Sequence, residues 1–352
     1  MKKLAEVMID WLLGNLSIKV QKQNHYIDSF RCALLFLQLK YSVMIIHEGY
    51  SSLNLVNPVV TLGIFDGVHR GHRALLDCLV ARAGEINGEA VVITFSPHPR
   101  LVLEQNTANL SFLTTMEEKK ILLEDAKIDH LIIIEFTRTF SNIKACDFIN
   151  EVLVNKIGTK HLVIGYNHHF GRKGEGDFKT IKKCAESLDI IVEQAQGFQT
   201  EEGAISSSLI REALLTGRLD EANRWLGYSY PVTGKVVRGR QIGRTIGFPT
   251  ANILPDDQYK LIPANGVYAV EVTLDNQKYP GMLNIGSNPT VNSDKKIKSI
   301  EVNILNFDQD IYNSKITVTF RKRLRDEIKF DNTEQLAKQM ELDKLNTLQI
   351  LS

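Results

Sequence analysis

The sequence has little cysteine, and what it has is scattered. Cys32, Cys78, Cys146 and Cys184 lie far apart in 352 residues, with no CxxC pair. That spacing speaks against a zinc site or a disulfide frame and reads as reduced thiols in a cytoplasmic protein. Net charge is also nearly absent. Against 42 basic side chains stand 41 acidic ones, leaving +1, so no polyanion-binding surface is announced and nucleic acid is not expected as a partner. No stretch reads as a membrane span. The opening "MKKLAEVMIDWLLGNLSIKV" has a basic tip, but Glu6 and Asp10 interrupt it and no small-residue cleavage site follows, so it is read as neither signal peptide nor anchor. Internal repeats and low-complexity tracts are missing too. So is any G-x-x-x-x-G-K-[ST] run, which removes a P-loop kinase from consideration.

What is present is an ordinary globular composition, 43% hydrophobic and 24% charged, in a chain long enough for two cores. Residues 1–43 lack a clear partner for their apolar positions, whereas "MIIHEGYSSLNL" from Met44 reads as the opening of a domain. Met44 is therefore expected to be the working start, with residues 1–43 an extension of uncertain role. From Val59 to Lys183 continuous apolar runs ("PVVTLGIF", "EAVVITF", "HLIIIEF", "KHLVIGY") alternate with amphipathic stretches ("GHRALLDCLVARAGEI", "TTMEEKKILLEDAK", "NIKACDFINEVLVNKI"). This alternation predicts a parallel sheet covered on both faces, with "IIVEQA" as a fifth strand.

Near Ile205 the rhythm changes. "SSLIREALLTGRLDEANRWLGYSY" reads as a helical connector broken at Gly217. Beyond Pro231, five short strands with glycine-bearing turns predict a small antiparallel barrel or sandwich, closed by an amphipathic helix, "NTEQLAKQMELDKLNTLQIL". The expected divisions are residues 44–204, a connector at 205–229, and 230–352.

Two glycine-rich stretches carry chemistry. In "VVTLGIFDGVHRGH" (59–72), Gly63, Gly67 and Gly71 let backbone approach phosphate oxygens where a strand turns into a helix N-terminus. His69 and His72 could donate to a triphosphate, although alone they fit a tight capped turn better. In "GRQIGRTIGFPTANI" (239–253), three glycines beside Arg240 and Arg244 could wrap a diphosphate. Thr250 and Asn252 offer hard oxygens suited to Mg²⁺ shared with ATP, and a glycine-rich hairpin rim explains the stretch without a ligand. "TFSPHPR" (94–100) reads as a rigid turn or a ligand-binding loop, and Glu301, between Ile300 and Val302, faces either solvent or an open site.

The string G-x-F-D-G-x-H-x-G-H, followed in order by "TFSPHPR", "IGYNHHFGRKGEGD" (164–177) and "ISSSLIR" (205–211), resembles the bacterial bifunctional riboflavin kinase/FAD synthetase family. Ser208 stands where that family usually has threonine. "GFPTAN", "GVYAV", "GMLNIGSNPT", "SIEVNIL" and "RLRDEIKF" resemble its kinase half, with Asn303 and Asn306 replacing the usual His and Asp. The resemblance implies an α/β nucleotidyltransferase domain with a Rossmann-like parallel sheet. A small antiparallel β-barrel riboflavin kinase domain with a C-terminal helix would follow it. The implied partners are ATP, riboflavin, FMN and FAD, with Mg²⁺ accompanying ATP and a homo-oligomer left open. His69, His72, Arg211 and Glu301 are the implied catalytic residues, Glu301 taking the proton of the ribityl 5′-hydroxyl. Gly63, Phe65, Asp66, Gly67, Gly71, Ser206, Ser207 and Ser208 would hold ATP in the first half, and Gly239, Gly243, Arg244 and Gly247 in the second. Asn167, Phe170, Phe248, Pro249, Arg325 and Glu327 would contact flavin, and Thr250 and Asn252 the metal. Two alternatives stand beside this: a riboflavin kinase with a weakened adenylyltransferase half, and a non-enzymatic flavin or nucleotide sensor.

Overall fold

Runs such as Val59–Leu62 have no polar face to offer water, so they are stable only between two layers of helix. The computed structural model describes residues 43–51, 53–107, 110–166, 170–196, 199–200, 203–239, 247–288 and 297–352. The expected extension therefore lies, but for its last residue, outside the described residues. Strands β1 (Ile45–Glu48), β2 (Val59–Leu62), β3 (Ala90–Ser96), β4 (His130–Glu135), β5 (His161–Ile164) and β6 (Ile191–Gln194) form a parallel sheet in the order β1-β4-β3-β2-β5-β6. The helices of this half are α1 (Arg70–Glu85), α2 (Pro99–Leu103), α3 (Met116–Asp125), α4 (Ala145–Asp147) and α5 (Phe178–Ala185).

Three sequence expectations need correction here. The sheet has six strands rather than five, because β1 is an edge strand whose Ile45 and Ile46 are exposed and which carries no buried pattern. The stretch expected as one helix from Asn142 is α-helical only over Ala145–Asp147 and then π-helical over Phe148–Val154, with Asn155 N–H donating to Asn150 C=O. Apolar periodicity does not separate these two windings. The thiols are not all reduced: Cys146 and Cys184 form a disulfide, while Cys78 is free. Packing of α4 against α5 brings their Cα atoms to 5.3 Å, a proximity that a separation of 38 residues conceals.

Two helices follow, α6 (Ser207–Leu215) and α7 (Leu219–Leu226), and then a closed antiparallel barrel. Its strands are β7 (Pro231–Val237), β8 (Ala251–Pro255), β9 (Gly266–Leu274), β10 (Gln277–Asn288), β11 (Ile297–Ile304) and β12 (Lys315–Arg325). They close in the order β8-β11-β10-β9-β12-β7, with β7 pairing both β8 and β12. The strand not foreseen, β8, comes from "ANILP" at the end of the second glycine-rich stretch. Helix α8 (Thr333–Leu351) packs outside the barrel on β9, β10 and β12. Tyr268 and Phe320 fill the barrel edge to face, ring centroids 5.1 Å apart. Ile210, Leu214, Leu219, Trp225 and Leu226 of α6 and α7 belong to this same core, and so does Leu113 from the sheet half. The connector is thus a wall of the barrel core.

Candidate active sites

β2 and β5 are parallel neighbours, yet the chain leaves β2 toward one edge of the sheet and β5 toward the other, and ligands of parallel sheets bind beyond the strand carboxyl ends at such a switch point. A cleft of 460 Å³ opens there. Gly63, Phe65, Asp66, His69, Gly71 and His72 line it, together with His98, Tyr166 and Gln196. Ser206, Ser207 and Arg211 of the α6 terminus complete it. The loop from β2 to α1 is strained: Phe65 (φ 50) and Val68 (φ 36), the latter β-branched, sit in the left-handed region around Gly67 (φ 86). His69 caps α1 through its Nδ1, which accepts the His72 N–H at 3.3 Å, and the two imidazoles stack with centroids 3.7 Å apart. Burial holds His69 down to about 4. His98 is held down to about 3, by burial first and then by Lys119, Arg100 and Arg211. Both rings are neutral at pH 7.

Asp66 organises the loop more than it lines the cleft. Its buried carboxylate accepts the Leu113 and Thr114 N–H groups at 2.8 and 3.1 Å and pairs with Arg211 at 2.7 Å. Burial pushes this carboxyl up, while Arg211 and the two amides pull it back. Gly67, expected at ATP, is a packing residue. Its N–H donates to Thr114 Oγ1 at 3.1 Å, its carbonyl accepts Tyr228 Oη at 2.6 Å, and a Cβ would lie 2.7 Å from Leu113. The three serines are each engaged within the protein. Ser206 caps α6 by accepting Leu209 N–H, Ser207 donates to the Asp66 carbonyl, and Ser208 accepts from Arg211. Phe170, expected at flavin, is a core residue packed edge-on to Phe148. Its sequence neighbours suggested a loop, but its side chain turns into the sheet's helical cover. Asn167 lies outside the described residues.

Two cavities of the barrel, of 320 and 300 Å³, share Thr250 in their lining. The first also touches Pro249 and the loop Phe307–Tyr312. The second is lined by Glu301, Asn284, Arg325, Glu327 and, from α8, Leu336 and Met340. Thr250 Oγ1 donates toward Glu301 Oε2 at 3.5 Å, and Asn252 is paired across β8 and β11 with Glu301. Gly239 is required by this arrangement, since a Cβ there would fall 1.9 Å from the Asn252 amide. Arg325 is committed to α8 through Asp343, at 2.7 and 3.1 Å, and Glu327 accepts from Asn265. Phe248 is half-buried and lines neither cavity, Gly247 has φ 84, and Gly243 and Arg244 lie outside the described residues. Sequence reasoning missed Asn303, which is buried and donates to the Pro249 carbonyl at 2.7 Å, and the acidic loop Asp308–Asp310. The polar run "NFDQD" was the available signal for that loop. For Asp343 there was none, because helical charges are usually solvated.

A switch-point cleft on a parallel sheet, joined to a closed barrel with paired cavities, defines an α/β nucleotidyltransferase fold carrying a second, barrel-borne site. Residues 52–209 match the family model of FAD synthetase, and residues 226–351 that of riboflavin kinase. The chain belongs to the bifunctional riboflavin kinase/FMN adenylyltransferase family. The protein of that name from Listeria monocytogenes is 37% identical over 293 residues, 83% of this chain and 92% of its own. Its Escherichia coli K12 namesake is 37% identical over 288 residues, 82% and 90% of the two chains. A crystal structure of a Streptococcus pneumoniae protein named macrolide-efflux protein superposes with a TM-score of 0.79 at 32% identity, covering 87% of this chain and 98% of that one. Among the described residues no helix is long and apolar enough to cross a membrane.

Proposed function

We propose that this bifunctional riboflavin kinase and FMN adenylyltransferase phosphorylates riboflavin at Glu301 in the barrel and adenylylates FMN in the cleft around His69, His72 and Arg211. The observation that carries the kinase assignment is Thr250, standing on the wall shared by the two cavities with Glu301 beside it. One cavity suits the nucleotide and the other the flavin, so the phosphoryl group passes at Thr250. Glu301 takes the proton of the ribityl hydroxyl as its oxygen bonds to the γ-phosphorus and the bond to ADP breaks. The Thr250 hydroxyl and the Asn252 amide oxygen are hard, neutral oxygen donors, which fit a Mg²⁺ shared with nucleotide phosphates. When bound with ATP, the metal supplies charge neutralisation on the transferring phosphate. Among the described residues no cluster of three or more His, Cys, Asp or Glu could hold a metal. We therefore assign it to a shell that nucleotide phosphates complete.

In the cleft no protein nucleophile is needed. An FMN phosphate oxygen bonds to the α-phosphorus of ATP and pyrophosphate departs, while the α6 N-terminus, the imidazoles and Arg211 stabilise the developing charge. We place the reactions in the cytoplasm, where ATP and FMN are met; the Cys146–Cys184 bridge is the observation that pulls the other way. Incubation with riboflavin, ATP and Mg²⁺, with chromatographic separation of the flavins, is expected to show FMN and then FAD. Flavin recovered unchanged would overturn the proposal.

A further inference from the structure

Two segments far apart in sequence meet where the sheet half touches the barrel half. Phe112 N–H donates to the Tyr259 carbonyl at 2.8 Å, and Leu261 N–H to the Phe112 carbonyl at 2.9 Å. Lys260, between them, has a side chain only 1% exposed. Its Nζ donates to the Leu113 carbonyl and to Glu118 Oε2, both at 2.6 Å, and lies 4.3 Å from the centre of the Tyr230 ring. A buried ion pair is weak support for stability, because an apolar pair of similar volume packs as well. What the ammonium adds is direction. The Leu113 carbonyl and the Thr114 N–H belong to one planar peptide unit, so holding one end orients the other. That Thr114 N–H, with the Leu113 N–H, is donated to Asp66, and Asp66 holds Arg211 in the cleft.

We propose that Lys260 of the barrel half is a positioning residue for the cleft of the sheet half, acting through the Leu113–Thr114 peptide and Asp66 on Arg211. The inference rests on the adenylyltransferase reading of that cleft. It makes the barrel a working part of the other site: Lys260 donates to Leu113 and Glu118, which do not line the cleft, and hydrogen bonds of 2.6 to 3.1 Å joined by the Leu113–Thr114 peptide lead from it to Arg211.

Lys260→Met alone would strand the Glu118 carboxylate, so the test uses Lys260→Met with Glu118→Gln. The amide oxygen of the new side chain can still accept the Thr115 N–H that Glu118 accepts at 2.9 Å, which keeps the cap of α3. FMN adenylylation is expected to fall about 10- to 100-fold, the scale on which misplaced positioning groups act, while riboflavin phosphorylation in the same sample is unchanged. In an Arg211→Ala background the same pair should change adenylylation by less than about twofold, because the effect runs through Arg211. Equal losses in both backgrounds, unaltered adenylylation, or loss of both activities together would each overturn the role of Lys260. A parent protein that converts no FMN to FAD would instead overturn the underlying reading of the cleft.

Discussion

A histidine that caps a helix with its ring nitrogen cannot be protonated there without losing the cap. His69 is in that position, and its folded value of about 4 lies below the ordinary imidazole value of about 6.5. Between those two values the unfolded chain binds the extra proton, so the stability this group contributes is complete above about pH 6.5 and is lost as pH falls through about 4. The loss should reach up to about 3 kcal/mol across that window, read by urea denaturation at stepped pH. His69→Asn, which caps without titrating, should flatten the curve. At the same scale, His72→Ala is expected to slow FAD synthesis about 100-fold while FMN accumulates. Glu301→Ala should abolish riboflavin phosphorylation yet still convert supplied FMN, since the base is missing only from the barrel. Chromatography of the flavins reads both, and normal FAD output from His72→Ala would return residues 63–72 to a mere turn. Of the single residues, those inside glycine-rich strings were legible in the sequence. Asn303 and Asp343 were not, because each owes its place to a partner elsewhere in the chain, Pro249 and Arg325, while "TFSPHPR" left the role of His98 open between turn and ligand loop.

Among the elements, the loop between β2 and α1 concentrates left-handed backbone in Phe65, Gly67 and Val68, and helices and strands on either side hold it there. Gly67→Ala should therefore cost about 2 kcal/mol or more, from both its positive φ and the contact with Leu113, and should lower FAD synthesis with little effect on the kinase. Thermal unfolding and paired assays read the two effects. The Cys146–Cys184 bridge ties α4 to α5, and peptide mapping without reductant should recover those two cysteines cross-linked, with Cys78 free. Recovery of both as thiols would restore the reduced reading drawn from their spacing. Strand β8 shows why elements escape sequence pattern. "ANILP" is short and lies just after Pro249, and it becomes a strand because β7 and β11 offer it ladders on both edges.

For the whole molecule, Ile45–Ser352 is one compact unit although it holds two cores. Leu113 of the sheet half is buried in the barrel core, and Lys260 of the barrel half is buried against α3. Calorimetry should accordingly show a single cooperative transition for this unit; two resolved transitions would show halves that stand independently. The sequence alone determined the order of strands and helices apart from β1 and β8, the change from parallel sheet to antiparallel barrel, and the strings that carry each chemistry. Those properties are local, set by periodicity, turn residues and backbone freedom over a few positions. Only the tertiary structure decided that Arg211 faces Asp66, that Thr250 stands between two cavities, and that a barrel lysine holds a peptide of the sheet half. Each of those joins residues from 51 to 147 positions apart, and a contact at that range is created by packing, which no local pattern encodes.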